Sequence, residues 1–329
     1  MDFKDGIDAQ PDVLARSAKA VQDALPDLAK PDEQAVIALV GIGASEHVAG
    51  SAAPVWREHG LRTFAVSASD LIGEGTSACA DVCVGLSESG RSAETVAALK
   101  NVFGSRLGVT NIADSPMTEV VEESLLIDSG PDSPVYTTGY TAMLQALGML
   151  GEHWADKTSD WSSLPDLAAE VLESTKPVID SVLDHFDAAR LIDVIGSGAS
   201  NASAGEGALL LREAARAHTA AHETYNYLHG PMEPLDPRSA CIIVGDKREI
   251  RLARDVSELG CHTLLITTRP DVTSTETLTV VQLPQASSPL ALTVLQILPL
   301  QLLGWSLASR RGLRVDGFRY QQDDTKLSS

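Results

Sequence analysis

Two stretches decide the fold: Ala35–Gly50, AVIALVGIGASEHVAG, and Ala189–Gly207, ARLIDVIGSGASNASAGEG. Each sets a β-branched, apolar run ahead of Gly-x-Gly-Ala-Ser and follows it with small residues that suit a helix. Gly41 and Gly196, the first glycines of the two turns, lie 155 residues apart. That spacing is too long for a solenoid repeat, so the chain of 329 residues reads as two related domains.

Both halves continue with short apolar runs separated by helical stretches. In the first half the strands are expected at Val36–Val40, Thr63–Ser67, Asp81–Leu86, Leu107–Asn111 and Leu125–Asp128. Helices are expected at His47–His59 and Ser92–Gly104. In the second half strands are expected at Leu191–Ile195, Cys241–Val244, Thr263–Thr267 and Leu278–Leu283, and helices at Asn201–Ala217, Lys247–Leu259 and Pro289–Ser309. Apolar strands with helical crossovers form parallel sheets covered on both faces, so the expected class is α/β with two doubly wound sheets. The expected division is a helical N-terminal segment over residues 1–30, a first domain over 31–155, a helical linker over 156–185, a second domain over 186–311 and a tail over 312–329.

Composition narrows the function. Net charge is -20 and aromatic residues make up 4%, which disfavours nucleic acid because phosphate backbones are repelled and bases find few stacking partners. A local pocket can still take a small anion against that global field. Cys79, Cys83, Cys241 and Cys261 match neither a zinc ribbon nor a CxxC pair, and core thiols are the expectation. The N-terminus shows no apolar signal region. Leu290–Ala308 has transmembrane length, but Gln296, Pro299, Gln301 and Gly304 interrupt it, so a buried helix against a sheet is expected. A cytoplasmic protein with no membrane partner follows as the expectation.

The chemistry concentrates at strand ends. Gly41-Ile42-Gly43-Ala44-Ser45 places free amides and a helix N-terminus where parallel sheets bind ligands, which favours an anion. A dinucleotide fingerprint needs a further glycine where Glu46 and Asn201 stand, and no P-loop lysine follows. Residues 86–95, Leu-Ser-Glu-Ser-Gly-Arg-Ser-Ala-Glu-Thr, bring Ser87, Ser89 and Ser92 into one strand-to-helix turn. A helix cap at Ser89 needs only one hydroxyl, whereas three beside a Gly-Ser turn favour a phosphate monoester. His218 and His222 would share a face if helical, yet no acidic third ligand accompanies them, so no metal is expected. Glu206 precedes Glu213 by seven residues, which puts both on one helix face.

The duplicated GxGxS, with a strand ending in Ser-x-Ser-Gly-x-Ser, resembles the SIS (sugar isomerase) family of phosphosugar-binding proteins. Within it the chain is similar to the isomerase part of glutamine–fructose-6-phosphate aminotransferases over residues 31–329. The resemblance implies that Ser45, Ser87, Ser89 and Ser92, with the Glu88 amide, hold a sugar phosphate, and that Gly43, Ala44 and Thr137 also contact substrate. Gly205–Glu213 and Tyr227–Pro231 resemble the family's catalytic glutamate and His-Gly-Pro segments, which implies Glu213 and His229 as catalytic groups, with Lys326 as the tail lysine. A carboxylate suits proton transfer between C1 and C2, and histidine suits ring opening near neutral pH.

The departures are specific. Glu88 stands where those synthases have glutamine, Asn226 where they have a glutamate, and Leu210 and Gly139 where they have lysines. The first sugar motif is reached by residue 41, so no glutaminase domain is expected ahead of it. Val244-Gly245-Asp246-Lys247-Arg248 replaces the serine-rich turn in the second half, so one phosphate site per chain is expected. The implied function is aldose–ketose isomerisation, amino-sugar-phosphate deamination or deglycation by a homodimer without metal or organic cofactor. A non-catalytic phosphosugar sensor is the alternative.

Overall fold

The computed structural model describes residues 1–73, 80–320 and 322–328. Two five-stranded sheets form its frame, and every strand pairing is parallel. The first contains β1 (Val36–Gly41), β2 (Arg62–Ser67), β3 (Val82–Leu86), β4 (Ser105–Thr110) and β5 (Glu123–Leu126), ordered β2-β1-β3-β4-β5. The second contains β6 (Leu191–Gly196), β7 (Thr219–Glu223), β8 (Ser239–Val244), β9 (His262–Thr267) and β10 (Leu278–Gln282), ordered β10-β9-β8-β6-β7. Read from its other edge, the second order repeats the first, so the duplication in sequence is a duplication of topology. In both sheets the Gly-x-Gly-Ala-Ser turn leaves the strand at which the winding reverses, the usual place for a ligand.

Helices α1 (Phe3–Asp8) and α2 (Gln10–Ala24) open the chain, and α3 (Ala44–Glu58) and α4 (Ala93–Asn101) belong to the first sheet. Helices α5 (Thr138–Trp154) and α6 (Leu164–Ala188) lead to the second, which carries α7 (Ala199–Ala215), the short α8 (Thr224–Tyr227), α9 (Arg248–Glu258) and α10 (Pro289–Arg310). One apolar cluster runs from Leu39 and Val84 through Val48, Leu147, Leu211 and Leu300 to Val194 and Ile242. It joins both sheets through the helices between them. Trp56 is fully buried there, donates to the Leu147 carbonyl at 2.9 Å and meets Trp154 edge-on at 5.4 Å.

Two expectations change. The segment after α7 is the edge strand β7, so His218 and His222 do not share a helix face. Pairing with β6 overrides the weak local signal of Thr-Ala-Ala-His-Glu, and His222 packs beside Tyr227 and 3.6 Å from Asp193 instead. Helix α10 is the one described helix long and apolar enough to cross a membrane, and 89% of that stretch is buried inside the fold. It packs chiefly on helices α5, α6 and α7 rather than on a sheet. Cys83, Cys241 and Cys261 are core residues, whereas Cys79 lies outside the described residues.

The contact between α3 and α7 matters most for the site. Ser51 Oγ donates to the Ala199 carbonyl at 2.8 Å, Gly50 faces Ala202, and Gly205 faces His47. Rising numbers on one helix meet falling numbers on the other, so the pair is antiparallel. A Cβ on Gly205 would stand 2.5 Å from His47 Nδ1, so only glycine permits this approach. Glu213 lies eight residues, roughly 12 Å, beyond Gly205. The antiparallel register carries it beyond the N-terminal end of α3.

Candidate active site

Gly43 has φ 58° and ψ -130°, and Gly198 has φ 57° and ψ -131°. This backbone region belongs to glycine, and the two values show one turn built twice. At the first turn Ala44 begins α3, and Ser45 Oγ makes only a 4.0 Å contact with Met143 Sδ. The hydroxyl is therefore not consumed by a strong partner.

Strand β3 delivers the second half of the site. Ser87 Oγ donates to Ser92 Oγ at 3.2 Å and accepts from the Ser92 amide at 3.5 Å. Ser89 Oγ accepts from the Arg91 amide at 3.4 Å. Ser92 is the N-cap residue of α4, yet no side chain caps that helix, so the cap by Ser89 does not form. All of these hydrogen bonds are long, and a better acceptor in the turn would displace them.

The tail closes on this turn. The Ala93 amide donates to the Thr325 carbonyl at 3.1 Å, and the Leu327 amide to the Arg91 carbonyl at 2.9 Å. Lys326 pairs with Ser92 in an antiparallel bridge and donates to Tyr136 Oη at 3.1 Å. A cavity of about 1180 Å³ lies here, with Glu88, Ser89, Asp132, Tyr136 and Lys326 in its walls.

Glu88 is the unusual wall. Its carboxylate accepts from Asn111 Nδ2 at 3.1 Å. Burial first, then the nearby Asp132 charge, raise its pKa, and Lys326 opposes the rise. A Cβ on Gly139 would stand 2.7 Å from Glu88 Cγ, so the space that a larger residue would need is taken by Glu88.

Glu213 is partly buried on α7, and loss of water around its carboxyl pushes its pKa up to about 7. Glu206 is buried on the same helix, and its pKa is driven well above the carboxylate range, by burial first and then by Glu213 and Asp132. Its Oε2 has no hydrogen-bond partner. His229 is exposed on the segment after α8, beyond the edge strand β7. Neither Glu213 nor His229 lines the cavity.

Thr137 is placed differently from expectation. It is fully buried, and its hydroxyl donates to Asp132 Oδ1 at 2.5 Å rather than facing the cavity. Asp132 also accepts from the amides of Thr137 at 2.9 Å and Gly139 at 2.8 Å, fixing the start of α5. Asp132, Tyr136 and Asn111 escape sequence reasoning because no motif marks them. The usable signal is positional: Asn111 follows β4 and the other two follow β5, at the ligand-binding ends of the strands.

The comparisons with known proteins agree with this architecture. The family model described as "SIS domain" matches residues 185–303. Glutamine–fructose-6-phosphate aminotransferase of Thermus thermophilus is 28% identical over 257 residues, covering 71% of this chain and 42% of the relative. The chain thus spans less than half the length of such curated relatives. Among solved structures, the glucosamine-6-phosphate deaminase of Thermotoga maritima superposes with a TM-score of 0.82 at 18% identity, covering 98% of each chain. The C-terminal domain of the Francisella tularensis aminotransferase gives a TM-score of 0.80 at 19% identity, covering 96% of this chain and 97% of that one. Residues 185–303 match the SIS domain, and the first sheet repeats the topology of the sheet within it.

Proposed function

We propose that the chain is an enzyme that moves a proton between C1 and C2 of an open-chain sugar phosphate. The observation that carries the reading is the placement of Glu213. A partly buried carboxyl, its pKa raised to about 7, stands on the helix that packs antiparallel against α3, the helix opened by the Gly43 turn. Such a group is half ionised near neutrality, the best compromise for a general base that must also return the proton.

Ser45, Ser87, Ser89 and Ser92, with the amides of Ala44 and Glu88 and the open turn at Gly43, hold the phosphate. Glu213 takes the proton from C2 and returns it at C1 through an enediol or enolamine. Lys326 closes over the sugar and offsets the negative charge that develops on oxygen. His229 opens the ring, and its exposed position suits a task in the site of a second copy of the chain. Thr137 acts through Asp132 as a positioning residue.

Charge favours an amine-bearing substrate among the possible ones. Glu88 adds an acidic group to the cavity wall, and Gly139 leaves no room for a cation from its own position. An ammonium or imine on the sugar would be stabilised there. With a 2-amino-aldose phosphate, proton transfer gives a 2-imine, which water hydrolyses to the ketose phosphate and ammonia. With a fructosamine phosphate, the same transfer in reverse gives a C1 imine, which water hydrolyses to the aldose phosphate and an amine.

Proton NMR in D2O with fructose-6-phosphate, glucosamine-6-phosphate and a fructosamine-6-phosphate tests this. Deuterium at C1 or C2 is expected, with ammonia or amine released faster than fructose-6-phosphate exchanges. Glu88→Gln should narrow that preference. Binding without exchange or release of any of the three would make the chain a sensor.

A further inference from the structure

The second Gly-x-Gly-Ala-Ser turn has the backbone of the first, and its neighbourhood answers what it holds. The loop from β3 to α4 spans Ser87–Ser92, whereas the loop from β8 to α9 spans only Gly245–Lys247. The shorter loop removes the serines and draws the first turn of α9 inward. Glu249, the second residue of that helix, is 1% exposed. Its Oε1 accepts from Ser197 Oγ at 2.8 Å and from Thr224 Oγ1 at 2.6 Å. Its Oε2 accepts from the Lys247 amide at 3.2 Å. A Cβ on Gly245 would stand 2.8 Å from both Cγ and Oε2 of Glu249, so glycine makes the space for this carboxylate.

We infer that the second turn is an anion site that folding has filled with the chain's own carboxylate. Two hydroxyls and a backbone amide converge on the Glu249 oxygens, one hydroxyl coming from the Gly-x-Gly-Ala-Ser turn itself. Those are the donor types that the first turn offers to a phosphate. A buried carboxylate needs such donors, and a phosphate monoester would compete for the same ones. The second sheet therefore binds no external anion while Glu249 is in place. The chain takes phosphate esters at one turn only, and α7 is left to present Glu213. The inference extends the proposed phosphate site to its copy, yet it is read independently of it.

Calorimetric titration of the full chain with inorganic phosphate, and then with fructose-6-phosphate, tests it on the wild type, Glu249→Ala and Glu249→Gln. Glu249→Ala should bind one more phosphate per chain than the wild type, and phosphate should raise its Tm. Glu249→Gln, which still fills the turn, should match the wild-type stoichiometry. A folded Glu249→Ala with unchanged stoichiometry and no Tm response would overturn the inference. Ser197→Ala in the otherwise native chain gives a second reading that needs no loss of Glu249. It should lower the Tm and leave ligand binding unchanged, and weaker ligand binding would show that the turn is open. If the wild type bound no phosphosugar at all, the proposed function would fail. The extra site in Glu249→Ala would still be counted against that zero.

Discussion

Glu206 and Glu213 stand on one helix, and burial raises both carboxyls. Burial, then the charges of Glu213 and Asp132, push Glu206 well above its ordinary value and so favour its neutral form. For Glu213 the sign of the linkage is definite. Its folded pKa of about 7 exceeds the ordinary carboxylate value, so the folded state binds the extra proton. Stability from this group is fully present below about pH 4.5 and is lost as pH rises through about 7. Glu213→Gln should therefore be more stable than the wild type at about pH 8, by up to about 3 kcal/mol, with the gap closing toward about pH 5. Denaturant melts across pH check this. Activity moves the other way: kcat/KM of the wild type should rise through about pH 7, and Glu213→Gln should lose about 10²–10⁴-fold.

At the level of elements, the α3–α7 pair locks a helix of the second sheet onto a helix of the first. It depends on Gly205 lying flat against His47, whose pKa burial lowers to about 4. The imidazole there is neutral at physiological pH and acts as packing. Gly205→Val should force the helices apart and cost about 1–3 kcal/mol, read as a lower denaturation midpoint. The same change should lower kcat more than it raises KM for the phosphorylated sugar, because Glu213 moves while the serine turn does not. The tail is the other such element. Its pairing with Arg91 and Ala93 puts Lys326 over the turn, far from where a polar terminal stretch would be placed by composition.

For the whole molecule, Glu213 and His229 belong to different surroundings: one partly buried on α7, the other exposed past an edge strand. Under the proposed function, a two-fold dimer in which each site borrows the partner's histidine would reconcile them. Mixing inactive Glu213→Gln with inactive His229→Ala should then restore activity to about a quarter of the wild type, since half of the chains pair as mixed dimers with one intact site each. No recovery after subunit exchange would place both groups in one chain's own site.

The amino-acid sequence determined the class of the fold and the clustering of hydroxyls at the first glycine turn. Both rest on local rules: apolar runs of strand length, glycines at strand ends, and hydroxyls clustered within six residues, Ser87–Ser92. Helix spacing likewise put Glu206 and Glu213 together, because both lie on one element. Tertiary structure alone decided what depends on partners distant in the chain. Strand β7 exists because β6 pairs with it, not because Thr-Ala-Ala-His-Glu favours a strand. Thr137 turned away from the cavity because Asp132 claims its hydroxyl. Asp132, Tyr136 and Lys326 meet Glu88 only through the order of the strands and the return of the tail. The second turn looks as open as the first until Glu249, more than forty residues on, is seen to fill it. Such contacts are set by packing and by the need to satisfy buried charge, and neither is written within one stretch of sequence.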